Sequence, residues 1–389
     1  MTPDTDRVRE LLGTVDPPPA RMMATDLLAA GRRARRRRRQ WAVAGVAGLA
    51  TLGAGAAGTA VSLAGATPAP VRPAVAASTP AAKPAAPCVV ERLDLPPGAK
   101  AGGVNTGSPS GRYLAGFTSN ASDPGTPVRW DGGKAQAIRV PGTGEAQGVN
   151  DKGVVVGEGQ APGGRMYAWA YADGKVTELR LPAGYTGAEA RGINATGQVT
   201  GVLFAGDRTA AGVWDSIGKT ARVLDAPEDA MAFGISDSGV VVGGLRGGGA
   251  AYRWDAGGRG KALPAPSGVT VGDLHGVRGD WAYGSVANPN PDATPDEPGG
   301  IRDSIVAARW HLPTGRLTLL DGDIGAVNPA GQAAVSPIGR GTATIQSPDA
   351  TKRKLPGLAG KVGHPYALSD DGTRAAGTIG DRPVRWICR

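Results

Sequence analysis

From residue 88 onward the chain alternates short apolar runs with Gly, Asn, Ser and Asp, and no run carries the 3.6-residue apolar period of a helix. The pattern is clearest in Gly148-Val149-Asn150-Asp151-Lys152-Gly153-Val154-Val155-Val156-Gly157. Two β-branched runs flank a turn in which an Asn side chain can bond back to the backbone and a Gly accepts positive φ, which predicts a hairpin. Related hairpins follow Gly103-Val104-Asn105, Gly192-Ile193-Asn194, Gly234-Ile235-Ser236, Gly276-Val277-Arg278, Ala326-Val327-Asn328 and Ala367-Leu368-Ser369, at spacings of 45, 44, 42, 42, 50 and 41 residues. A period above forty built from strands is the signature of a propeller blade or a similar repeated sheet.

Two further runs recur in phase. One ends in Trp, at Trp130, Trp169, Trp214, Trp254, Trp310 and Trp386; the sixth unit has Thr344-Ile345 near that place. The other is rich in Leu and Pro, as in Leu179-Arg180-Leu181-Pro182 and Lys354-Leu355-Pro356. Each unit thus supplies four strands, and seven units predict an all-β, seven-bladed β-propeller over residues 88–389. The tryptophans are expected to pack between adjacent blades. Gly157, Gly201, Gly243 and Gly377 suit close backbone approach at the end of the second strand.

The ends of the chain test the phase. The last unit stops after Trp386 without a Leu-Pro strand, whereas Glu91-Arg92-Leu93-Asp94-Leu95-Pro96 precedes the first unit unmatched. An N-terminal strand that completes the last blade would close the ring. The only two cysteines, Cys88 and Cys388, flank that seam; a disulfide there would stabilise by roughly 5 kcal/mol in the chain-entropy picture, and two unrelated thiols are the alternative.

The repeat resembles the extracellular HAF-type repeats of bacterial surface and secreted proteins, which follow a Gly-Ile-Asn, Gly, Val-Val-Gly, Ala-aromatic-Trp, Leu-rich scheme. The likeness spans residues 88–389 and is best in units two to four. The His-Ala-Phe triplet itself is absent, with Met166-Tyr167-Ala168-Trp169 and Ala251-Tyr252-Arg253-Trp254 in its place. The resemblance implies a β-propeller outside the cytoplasm and no particular reaction; the Ala-, Gly- and Arg-rich composition is similar to that of actinobacterial proteins.

Ahead of the repeats the pattern changes. Residues 1–40 are polar and broken by proline, with room for two short helices, and seven arginines fall among the eight positions 32–39. Residues 41–66 carry no charge, enough for a spanning helix, which takes about 20 residues. The arginines lie only on its N-terminal side, so residues 1–40 are expected in the cytoplasm and the repeats outside, on a single-pass anchor. Ala64-Gly65-Ala66 keeps a cleaved signal peptide open as the alternative. Residues 67–87, largely Ala and Pro, read as an extended spacer of up to roughly 60 Å.

Charge adds little beyond topology. Residues 1–40 hold ten arginines against five carboxylates, a net of +5, and the remaining 33 basic and 29 acidic groups leave only +4. The basic balance is no argument for nucleic acid. His275, His311 and His364 form no metal or nucleophile motif, and Asp237, Asp370 and Asp371 sit in turns that account for them without calcium. No metal, cofactor or catalytic residue is expected. The irregular element is the segment Ala287 to Asp303, which stretches one spacing to 50; its Asn288, Asn290, Asp292, Asp296 and Glu297 are candidates for a binding loop, with a tolerated surface insertion as the equal alternative.

These readings predict a membrane-anchored propeller that acts as an extracytoplasmic binding or interaction module, its partner a protein or glycan at the cell surface. Two alternatives stand beside it. One is signalling across the membrane through a cytoplasmic docking segment; the other is a propeller lyase or hydrolase, which rests on fold analogy.

Overall fold

The computed structural model describes residues 87–389 apart from 121–122, 247–249, 265–269, 288–304 and 339–340. The expected cytoplasmic segment (1–40), the expected spanning segment (41–66), nearly all of the expected spacer (67–87) and nearly all of the blade-five insertion therefore lie outside the described residues. Within them, 28 strands run in chain order from β1 (Val89–Arg92) to β28 (Arg382–Ile387) and form seven four-stranded sheets. Six sheets are consecutive antiparallel meanders, each a blade. Their first strands are β2 (Ala101–Gly107), β6 (Thr143–Val149), β10 (Gly187–Ile193), β14 (Ala230–Ile235), β18 (Thr270–Arg278) and β22 (Asp323–Val327). Together with β26 (Gly363–Leu368), each first strand touches the next and β26 touches β2, so these strands form a closed circle around a central channel.

The seventh blade is closed as the unmatched strand predicted. β1 is the outer strand of a sheet ordered β1-β28-β27-β26, where β27 is Arg374–Ile379, and its register pairs Val89 with Ile387 and Arg92 with Val384. One residue beyond that ladder Cys88 and Cys388 are joined in a disulfide with Cα atoms 4.0 Å apart, both buried in the core of this blade. Glu91 and Arg385 add an ion pair at 2.7 Å across the seam.

The core is distributed between the blades. Trp130, Trp214, Trp254, Trp310 and Trp386 occupy one register position and are fully buried. In four of these blades the indole N–H donates to a carbonyl just past the last strand of the blade before: Trp130 to Asp94 O at 2.7 Å, Trp214 to Arg180 O at 2.8 Å, Trp254 to Asp225 O at 2.9 Å and Trp386 to Pro356 O at 2.8 Å. Each bond lands just beyond a buried Leu of the Leu-Pro run, Leu93, Leu179, Leu224 or Leu355. The same side chain thus fills the gap and satisfies an outer carbonyl.

Register corrects the sequence alignment in three blades. Trp169 pairs with Gly157, two residues short of the shared position, which Tyr171 takes; Trp169 accordingly bonds Glu158 O in its own blade. In blade six the position belongs to Gln346, opposite Ala333, and Ile345 lies one residue before it. In blade one the turn residue equivalent to Asn150 is Ser108, whose N–H bonds Tyr113 O as that of Asn150 bonds Val154 O, so Asn105 lies three residues too early to be it.

Candidate functional site

Every inner strand carries a β-bulge at the same place. The register slips between Ala146 and Gly148, between Ala190 and Gly192, and at the matching step of the other five, so the ladder passes over Asn105, Gln147, Arg191, Phe233, His275, Gly325 and Tyr366. A bulge turns its extra residue out of the alternation that faces neighbouring blades. On the innermost strand the free side is the axis. All seven residues are partly exposed, although the residues just before them, such as Ala146, Ala190, Ala232 and Leu274, are buried.

Glycines make this packing possible. The Gly after the bulge is where inner strands meet: a Cβ on Gly148 would lie 3.2 Å from Gly192 Cα, and one on Gly234 would lie 2.6 Å from Gly276 Cα. Gly157, Gly201, Gly243 and Gly377 pair with the bulged strand in mid-strand, and a Cβ there would run into the carbonyl oxygens of Glu145, Glu189, Met231 and His364 respectively. The close approach expected of these glycines is real, but it lies within the second strand.

The channel wall is chemically lopsided. At blades two and three Glu145 and Glu158 face each other across the β6 pair, a destabilising arrangement of like charges on its own. Gln147 Nε2 donates to Glu145 Oε2 at 3.3 Å and to Glu158 Oε1 at 3.4 Å, and Arg191 Nη2 lies 3.2 Å from Glu158 Oε2 while it also bonds Glu189. Burial opposes charge on Arg191, but Glu158 and Glu189 outweigh it and hold the proton more firmly than usual. Burial pushes the Glu189 carboxyl above the usual range, with Arg191 pulling the other way. One guanidinium thus pairs with two carboxylates, and Gln147 ties in the third. The rest of the wall is different: Phe233 and Met231 in blade four, His275 and Tyr366 in blades five and seven. The Tyr283 ring stands edge-on to His275 at 6.3 Å between centroids, and burial pushes its hydroxyl up to about 12.

Of the residues singled out in the sequence, Cys88 and Cys388 are brought together as a bond. Asn288, Asn290, Asp292, Asp296 and Glu297 lie outside the described residues. The strand ends that carry their segment, Ala287 and Ile305, pair with each other at the end of the channel opposite the inner-strand turns. Asp371 lies in its turn as expected and caps it, accepting from Ser369 Oγ at 2.6 Å and Thr373 N at 2.9 Å, whereas Asp237 accepts from Ala195 N of the preceding blade at 2.8 Å. Asp370 does not cap: its Oδ1 is buried without a hydrogen-bond partner among the described residues. Among the described residues no group of His, Cys, Asp and Glu is placed to hold a metal ion. The bulge ring escaped the sequence reading because its seven residues share no chemistry. Its one signal is a variable, usually large residue just before Gly148, Gly192, Gly234 and Gly276 and before Ala367.

No family model matches this chain, and no curated protein matches it. Solved structures do. A streptogramin B lyase structure is 13% identical at a TM-score of 0.51, covering 78% of this chain and 98% of its own. A virginiamycin B lyase from Staphylococcus aureus with quinupristin is 12% identical, covering 77% and 99%, at 0.49. YCF48 bound to D1 peptide is 14% identical, covering 78% and 95%, at 0.48. The first of these likenesses supports the propeller fold and nothing finer.

Proposed function

We propose that this chain is a membrane-anchored binding module whose propeller lies outside the cytoplasm and takes a segment of a cell-surface protein or glycan against its central channel. The observation that carries the reading is the bulge ring: six of the seven inner strands carry a partly exposed side chain at the bulge, ranging from amide and guanidinium to imidazole and aromatic, and the seventh carries Gly325. A ring that served packing alone would repeat a small apolar residue there, as the blade interfaces repeat Trp. The disulfide supports an oxidising compartment, and the uncharged stretch with its N-terminal arginine collar supports the anchor.

A photo-crosslinking amino acid placed in the full-length protein on living cells tests the site. At Gln147 or Phe233 it should give discrete adducts that are absent when it stands at Lys175, an exposed residue of an outer strand. Equal labelling from Lys175, or none from either channel position, would contradict channel binding.

A further inference from the structure

At one end of the channel the inner-strand turns are tied blade to blade. Asn150 Nδ2 donates to Asn194 O and Asn194 Nδ2 to Ser236 O, both at 3.1 Å; Asn328 Nδ2 donates to Ser369 O at 3.4 Å, Asp370 N to Pro109 O at 2.8 Å, and Ser110 N to Asp151 Oδ1 at 3.0 Å. Blade five breaks this girdle. Its turn has only Gly279 and Asp280 between Arg278 and Trp281, where blade two has the five residues 150–154. The short turn leaves a cavity of about 430 Å³ bounded by Ser236, Asp237, Arg278, Asp280, Pro329 and Asp370. That volume is within the range of ligand sites, roughly 300–1,000 Å³.

Arg278 stands where other blades carry the Asn or Ser that ties the girdle. Its guanidinium instead reaches blade one, where Nη2 donates to Gly107 O at 3.2 Å. Its charge acts on Asp370 of blade seven and Asp151 of blade two. Among the described residues Asp370 Oδ1 has no hydrogen-bond partner. A cation from one blade is thus held over a cavity shared by carboxylates of other blades, among the described residues by a single bond to a neutral carbonyl.

We propose that this cavity is a binding site for the guanidinium group of a partner polypeptide, with Arg278 as the chain's own stand-in for that group. The partner's arginine enters beside Asp237 and Asp370 as Arg278 swings away from Gly107, so the resident cation sets the affinity by competing for the same field. The proposal goes beyond channel binding and does not use the carboxylate cluster of blades two and three.

The test is calorimetric titration of the full-length protein with N-acetyl-arginine amide, with the neutral citrulline analogue as control. Arg278→Ala should bind the arginine probe at least tenfold more tightly than the unaltered protein, and adding Asp370→Asn should remove at least that gain. Arg278→Gln, which keeps a donor for the Gly107 carbonyl without the charge, should show the same tightening if Arg278→Ala does not fold. Equal affinity in the unaltered protein and both Arg278 variants, or citrulline binding as well as arginine, would overturn the site. Neither result bears on crosslinking at Gln147 and Phe233, so the channel reading stands or falls separately.

Discussion

Replacing Cys88 and Cys388 together with alanine would leave the ring closed by noncovalent contacts alone. In the unfolded chain the bond ties off 300 residues, and loop-closure entropy for that length gives about 5–6 kcal/mol, of which measured cases often deliver less. What remains at the seam is slight. β1 is four residues long and pairs only with β28, and the Glu91–Arg385 pair is part-exposed, so it contributes about 0–1 kcal/mol. Ordering four residues costs about 1–2 kcal/mol each in backbone entropy, comparable with what burial of Leu93 and the partly buried Val90 returns. We expect the double variant to lose about 3–5 kcal/mol in urea unfolding. Hydrogen exchange should show the amides of Val89–Arg92 losing protection first, followed by those of β28. A loss below about 1 kcal/mol with β1 still protected would refute the claim that the covalent clasp holds the last blade shut.

Three further outcomes follow from the packing and the channel. Trp214→Ala should cost about 3–5 kcal/mol in chemical unfolding, since it empties a blade interface and removes one of the two donors to the Arg180 carbonyl, the other being Ala221 N. Gly201→Ala should cost about 1–3 kcal/mol by forcing a methyl group into the Glu189 carbonyl; a neutral result would mean that the bulge does not fix the strand spacing. Because the folded state raises the Glu189 carboxyl, its contribution to stability is fully present below the ordinary glutamate range and falls as pH rises through the elevated value. Glu189→Gln should therefore flatten the stability profile from that range toward neutrality, and an unchanged slope measured by thermal unfolding across pH 4 to 8 would sink this assignment.

How far the sequence reads depends on the kind of contact. Blade number and the closing strand were legible because hairpin turns need particular residues. Asn150 Oδ1 accepts from the N–H groups of Lys152 and Val154 at 3.1 and 3.2 Å, and Gly153 has φ 73°. The closing disulfide was foreseeable from the placement of Cys88 and Cys388 at the same seam. Register was less legible. Tyr171 and Gln346 hold the position that Trp fills in five blades, since an interblade gap can be met by other large side chains. Ser108 replaces Asn150 in blade one with the same backbone bonds, three residues after the Asn105 of the Gly-Val-Asn motif. The bulges were invisible because backbone geometry produces them, through pairing that the side chains at Gln147, Phe233 or Tyr366 do not encode. The cavity beside Arg278 was equally hidden, since it comes from three residues that blade five's turn lacks.

The central claim is an anchored propeller, clasped by its disulfide, outside the cytoplasm. The most direct test is the intact mass of the protein recovered from membrane and medium fractions, under non-reducing conditions after thiol labelling. The account predicts a full-length, membrane-bound chain with neither Cys88 nor Cys388 labelled. A form in the medium beginning near Thr67 would contradict the anchor, and labelled cysteines would contradict the clasp and the compartment together.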